Sequence, residues 1–339
     1  MASPDRDPPP APPPAPDPSE LRARIDRFRT ALGRHFVDKQ PIVDLMTVCA
    51  VAQEPLLLVG PPGTAKSELA VKFQEALGLG PGDYFEYTLT RFTEPSELFG
   101  PMDLDALRAG RFLRRVQGKL PTARVAFLDE VFQSSSAILN SLLTLLQERK
   151  FYQDGEAVPA RLRVLFAATN ELPEPGDLVA LNDRFALKIP CTSVADARFL
   201  DLIDSGLASQ SARDLGQRPW VEGHATLEDF EAAHRHLATQ FAWRGESPEG
   251  APLRDRDRFF PEPLLRELAR LLRTVNREDG VVVSDRKVVK LYRLLRAHAW
   301  LMRGGAVVRD DLRLAAYLGE SQAELALLAE KVPRLLGLS

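Results

Sequence analysis

Five short apolar runs, PLLLVG, YFEYTL, RVAFLDE, RVLFAATN and FALKIP, recur between residues 55 and 190 with helical stretches between them. Strands this uniformly apolar leave no face for water, so they belong in a sheet covered on both sides. Their alternation with helices predicts parallel pairing. The fold class expected is therefore α/β, a helix-flanked parallel sheet over residues 20–192. RVAFLDE and RVLFAATN also end on polar residues, which sets chemistry-bearing side chains where open α/β sheets bind ligands.

The rest of the chain is helical in pattern. Leu21, Ile25, Phe28, Leu32 and Phe36 recur at helical spacing, and PIVDLMTVCAVAQ opens with proline at a tolerated first-turn position. Beyond Thr192 the strand signal stops. LEDFEAAHRHLATQF, PEPLLRELARLLRTV, SDRKVVKLYRLLRAHAWLMRG and RDDLRLAAYLG read as amphipathic helices with capping residues at their starts. They predict a second, all-helical domain over 193–339, interrupted by an irregular polar insertion at about 206–261. The first 19 residues, with nine prolines among the first 18, predict an extended tail.

Between the first strand and the helix after it lies GPPGTAKS, residues 60–67. A phosphate-binding loop works because backbone N–H groups turn inward at the positive end of a helix, while a lysine adds a point charge and a hydroxyl binds Mg²⁺. Gly60 and Gly63 serve the positions needing close approach or positive φ, Lys66 and Ser67 the charge and the hydroxyl. Ala65 stands where the motif asks for glycine; since the chain is entering the helix there, a methyl is tolerable if φ is negative.

RVAFLDEV places Asp129 and Glu130 at a strand end, so that Asp129 with Ser67 would hold Mg²⁺ and Glu130 would polarise the water attacking a γ-phosphate. Taken alone, an acidic pair after a strand is common. RVLFAATNE ends in Thr169 and Asn170, suited to orienting that water, although a turn-forming asparagine is the blander reading. Arg184 in LNDRF and Arg286 in SDRK are ordinarily solvated charges. An arginine that does reach the γ-phosphate from a neighbouring subunit is worth roughly 10³ to 10⁵ in rate.

In this order the motifs resemble those of the AAA+ ATPases, and within them the MoxR family, over roughly residues 20–330. Its most specific carriers are GPPGTAKS with alanine before the lysine, TRFTEPSELFGP at 90–101, and SDRK; together they look most like the RavA branch. The resemblance implies ATP and Mg²⁺ as cofactors, and a Walker A loop made of Gly60, Pro61, Pro62, Gly63, Thr64, Ala65, Lys66, Ser67 and the adjoining Glu68. By the same resemblance Asp129 and Glu130 are Walker B, Asn170 sensor 1, Arg184 the arginine finger and Arg286 sensor 2. It also implies a helix-2 insert at 99–121 and a hairpin before sensor 1, which Asp154-Gly155 supports independently as a two-residue turn signal. A homo-oligomeric ring, a hexamer, that remodels client proteins with a von Willebrand factor A domain partner is the implied activity. The chain departs from the branch in carrying Lys287 where a second arginine is usual, and the branch's C-terminal partner-binding region is not expected within these 339 residues.

Two other functions compete: a nucleotide-gated scaffold that hardly turns over, disfavoured by the intact Asp129-Glu130 pair, and a nucleic-acid motor. With 44 basic and 47 acidic residues the net charge is −3, which offers no bulk attraction to nucleic acid or to a membrane. No apolar run nears the roughly 18 residues of a membrane helix, and Cys49 and Cys191 suggest no disulfide framework, so a cytoplasmic protein is expected. His224, His234 and His236 lack the spacing and companions of a zinc site, and the alternating acids of RDRDRFF cancel its basic charge.

Overall fold

A computed structural model describes residues 16–173, 178–194, 196–241 and 256–338. In chain order the elements begin with α1 (Pro18–Gly33), α2 (Gln40–Ala52), β1 (Leu56–Val59), α3 (Lys66–Ala76), β2 (Tyr84–Thr88), α4 (Pro95–Phe99), α5 (Leu104–Arg108) and β3 (Val125–Asp129). Then come α6 (Ser136–Glu148), β4 (Lys150–Gln153), β5 (Glu156–Pro159), β6 (Val164–Thr169), α7 (Val179–Asn182) and β7 (Leu187–Pro190). The helical part holds α8 (Phe199–Asp214), α9 (Leu227–Thr239), α10 (Arg256–Phe259), α11 (Glu262–Asp279), α12 (Asp285–Arg303), a 3₁₀ run (Arg309–Tyr317) and α13 (Gln322–Leu335).

All five apolar runs are strands of one parallel sheet, in the order β2-β3-β6-β1-β7. The register aligns their C-terminal ends: Val59 lies opposite Thr169 and Pro190, and Thr88 opposite Asp129. Alternation along each strand divides the core. Leu56, Leu58, Phe127 and Phe166 face α1, α2 and α3 in a cluster that runs on into Leu291, Leu294 and Trp300 of α12, whereas Leu57, Val59, Leu128 and Ala167 face Ile138, Leu142 and Leu145 of α6. Full burial of one such side chain stabilises by roughly 1.5–3 kcal/mol, so the strands are held by their faces as well as by their ladders.

The β4–β5 hairpin turns on Asp154 (φ 50°) and Gly155 (φ 80°), both left-handed as a two-residue turn between twisted strands requires. It is stitched to the segment around α5. The Phe112 amide donates to Asp154 Oδ1 (2.8 Å), the Asp154 amide to the Phe112 carbonyl (2.9 Å), and the Arg114 amide to Gln153 Oε1 (2.7 Å).

Two expectations need correction. The stretch expected to be irregular from 206 onward is helical to Asp214, because α8 continues straight through Gly206, and RDDLRLAAYLG winds as a 3₁₀ run instead of an α-helix. Most of the proline-rich tail, and the 242–255 part of the expected insertion, lie outside the described residues.

Candidate functional site

Glycine is required at residue 60 by contact: a Cβ there would sit 2.1 Å from the carbonyl oxygen of Cys191, on the neighbouring strand's exit. That close approach folds the loop over the sheet edge, and the next turn needs Gly63 in the left-handed region (φ 82°). Ala65 does not meet the condition set for it. Its φ is +67° with ψ 20°, so it adopts the backbone a glycine would have and carries its methyl into the left-handed region at the N-cap of α3. For a residue with a Cβ this costs roughly 1–2 kcal/mol.

The loop closes around Lys66, which is 6% exposed. Its ammonium donates to the Gly60 and Pro61 carbonyls (2.5 and 3.0 Å) and to Asn170 Oδ1 (3.1 Å). One residue on, Ser67 Oγ donates to Asp129 Oδ2 across 3.3 Å. A serine hydroxyl and a carboxylate at that separation are hard oxygen donors close enough to share Mg²⁺, so the residues present fit that cation. Glu130 follows with φ 52°, a left-handed, strained conformation at the start of a single 3₁₀ turn, and its amide donates to Asp129 Oδ1 (3.0 Å). Partial burial raises the Glu130 carboxyl above the ordinary range and the Asp129 charge adds to this; the Asn170 backbone amide and the Lys66 charge pull the other way. Thr169 is spent locally, its hydroxyl donating to the Glu171 carbonyl (2.7 Å).

Beside Gly63 and Ala65 opens a cavity of about 230 Å³, walled by Phe36 and Val37, by Thr192, and by Leu202 and Ser209 of α8. It lies between the sheet domain and the first helix of the helical domain. Glu68 lines it too, but pairs with Lys72 (3.0 Å) and with Arg213 of α8 (3.0 Å), which leaves it a brace between α3 and α8. Lys72, fully buried, lies 4.7 Å from the ring centroids of both Phe36 and Trp220 and donates to Ser209 Oγ (2.7 Å). Nothing in the sequence singled out Lys72; its only signal is a charge on the core-facing side of α3.

Arg184 and Arg286 come together, and not at this loop. Both flank the Asp183 carboxylate, at 3.8 and 3.7 Å, and both line a separate cavity of about 580 Å³ in which Arg149, Lys290 and Arg293 surround Glu54. Arg184 Nη2 donates to Gln147 Oε1 (2.6 Å), while its Nε is buried without a partner. That cavity shares no lining residue with the one beside Gly63. The Gly60–Ser67 loop, Asp129 and Glu130 thus gather at the C-terminal ends of inner strands, and the two arginines form a second, cationic face.

Comparison with known proteins bears on this arrangement. Residues 22–226 match the family described as the MoxR domain of MoxR–vWA–β-propeller ternary systems. Two uncharacterised proteins of Methanocaldococcus jannaschii are each 38% identical, over 171 residues (50% of this chain, 44% of the relative) and 165 residues (48% and 43%). A structural protein of Acidianus two-tailed virus is 32% identical over 216 residues (62% and 33%). The chain therefore spans less than half the length of the curated relatives it matches. Among solved structures, that of a candidate ATPase from Cytophaga hutchinsonii superposes with a TM-score of 0.68 over 94% of each chain at 17% identity, a likeness of fold. With its family match covering more than half of its length and its fold an AAA+ one, the chain belongs to the MoxR family of AAA+ ATPases.

Proposed function

We propose that the protein binds ATP with Mg²⁺ at the Gly60–Ser67 loop and hydrolyses it, and that a second copy completes the site. In this reading the loop amides and Lys66 hold the β- and γ-phosphates, and Ser67 and Asp129 hold the cation, which when bound offsets phosphate charge. Glu130 takes a proton from the attacking water, and Asn170, already bonded to Lys66, orients that water. The carrying observation is the meeting of Lys66 Nζ with Asn170 (3.1 Å) and of Ser67 with Asp129 (3.3 Å), bringing residues from three adjacent strand ends to one point.

Arg184 and Arg286 lie outside that point, which supports their acting on a neighbouring copy's nucleotide, as in a ring; the hexamer is the form the family suggests. Coupled hydrolysis would move the α8 side of the cavity and so remodel a client protein. The partner we favour is a von Willebrand factor A domain protein, because the matched family is that of MoxR–vWA–β-propeller systems. Phe112 (64% exposed) and Tyr152 (57%) at the stitched hairpin are the surface we assign to client contact. The finer placement near RavA rests on the motif likeness alone.

Steady-state phosphate release should fall by about 10² to 10⁴ in Glu130→Gln while binding of a fluorescent ATP analogue persists. Turnover at the wild-type rate in that variant would remove Glu130 from its role.

A further inference from the structure

Strand β7 is apolar but for one residue, Lys188, which is fully buried. Its ammonium donates to the Phe185 carbonyl (3.1 Å) and lies 3.2 Å from one carboxylate oxygen of Glu320, in the turn before α13. Lys287, next to Arg286 in the first turn of α12, is buried to the same degree; its ammonium donates to the other Glu320 oxygen and to the Leu318 carbonyl (3.2 Å). One carboxylate thus holds two lysines from two elements. Burial pushes both lysines well below the ordinary range, and the like charge of Lys188 adds to this at Lys287. Asp183 and Glu324 draw them back. Two lysines buried against one half-buried carboxylate are a poor way to gain stability, so their place in the fold calls for another explanation.

The residues it adjoins supply one. Asn182 Nδ2 donates to the Glu320 carbonyl (2.8 Å), Ser284 Oγ donates to Asp183 Oδ1 (2.8 Å), and Lys290 Nζ donates to the Arg184 carbonyl (2.5 Å). The 182–184 turn is thereby fastened to the head of α12 on one side and to the Glu320 turn on the other. We propose that Lys188, Lys287 and Glu320 form a latch that positions Arg184 and Arg286, so that the turn carrying one arginine, with the strand that follows it, and the helix carrying the other move as one body. None of the three touches nucleotide; they act through the two arginines. The inference deepens the ATPase reading and rests on it.

The test uses the full chain and follows ATP hydrolysis together with binding of a fluorescent ATP analogue. Lys287→Met should lower kcat about tenfold, as a misplaced catalytic group does, with analogue affinity changed by less than about twofold. Lys287→Arg, which keeps a cation facing Glu320, should retain at least about half of the wild-type kcat. In an Arg184→Ala, Arg286→Ala background Lys287→Met should have no further effect, because the groups it positions are gone. Should Lys287→Met not fold, Glu320→Asp, which keeps the charge but withdraws it by one methylene, should lower kcat about threefold at unchanged affinity. Wild-type kcat in both Lys287→Met and Glu320→Asp, or an equal loss with and without the two arginines, overturns the latch while leaving the ATPase reading intact. A wild-type chain that neither binds the analogue nor releases phosphate overturns that reading, and the latch with it.

Discussion

The loop around Lys66 and the face around Arg184 are built by opposite means. At the loop, Lys66, Ser67, Asp129, Glu130 and Asn170 are each within two residues of a strand or helix end, and the sheet register alone brings them together. At the arginine face, Arg184 and Arg286 are joined across a long sequence separation by Asp183 and by buried lysines. The first region offers one ammonium beside two carboxylates; the second lines a cavity with Arg149, Arg184, Arg286, Lys290 and Arg293 against the two carboxylates Glu54 and Asp183. A bound triphosphate would leave the first region short of cations at its outer end, and the second has cations to spare. Each supplies what the other lacks, which favours a site completed between copies over two separate sites.

Disabling the two regions in different copies tests this most severely. Arg184→Ala should reduce kcat by about 10³ or more with ATP binding preserved, the size expected of a guanidinium that stabilises transferring phosphate. Mixed in equal amounts with Glu130→Gln, itself inactive, it should recover about a quarter of wild-type turnover. In a random heterologous ring that is the share of interfaces pairing an intact loop with an intact arginine face. Co-assembly without any recovery would show that both regions serve the same copy's nucleotide.

A smaller effect separates the regions by pH. The Glu130 carboxyl is raised, mainly by burial, so the catalytically competent carboxylate is lost as pH falls through a value above the ordinary glutamate range. The acid limb of the kcat profile should therefore begin at a higher pH than a solvated glutamate gives. Folding carries the opposite sign. Between the ordinary and the raised value the folded chain binds more protons than the unfolded one, so this group's contribution to stability declines as pH rises through that window. Glu130→Gln should remove both effects, and chemical denaturation at two pH values alongside the rate profile checks it. An acid limb unchanged in Arg184→Ala would confirm that it belongs to the loop.

The same contrast explains what could be read from the sequence. Residues 55–190 announced their strands because the runs are nearly continuously apolar, and the polar ends of RVAFLDE and RVLFAATN marked the site before any geometry was known. Asp154-Gly155 announced its hairpin through turn chemistry. What stayed hidden depended on pairing across the chain. Lys188 inside FALKIP was visible as a charge in a buried strand, but Glu320, its partner, carries no local mark. Lys72, Ser209 and Trp220 meet only when α8 lies over α3, and α8 was illegible from Gly206 onward because beyond Leu207 its sequence holds no large apolar residue to continue a stripe. The meeting of Arg184 with Arg286 was likewise invisible, since an arginine's partners are set by tertiary packing.

At the loop itself, Ala65 is where the sequence argument and the backbone disagree, and it offers the finest test. The methyl was expected to be harmless at negative φ; the observed φ of +67° means the loop keeps the conformation of a glycine and bears the strain. Ala65→Gly should relieve it, offset by the greater freedom of glycine in the unfolded chain, for a net gain of about 0.5–1 kcal/mol in a denaturation midpoint. Because Ala65 already holds the backbone conformation a glycine would adopt there, kcat should change by less than about twofold. A loss of stability in Ala65→Gly would mean that the alanine holds the loop rigid by restricting its alternatives. In that case the strain would belong to the loop's function, a role that Glu130, the other left-handed residue of this site with a side chain, would share under the proposed mechanism.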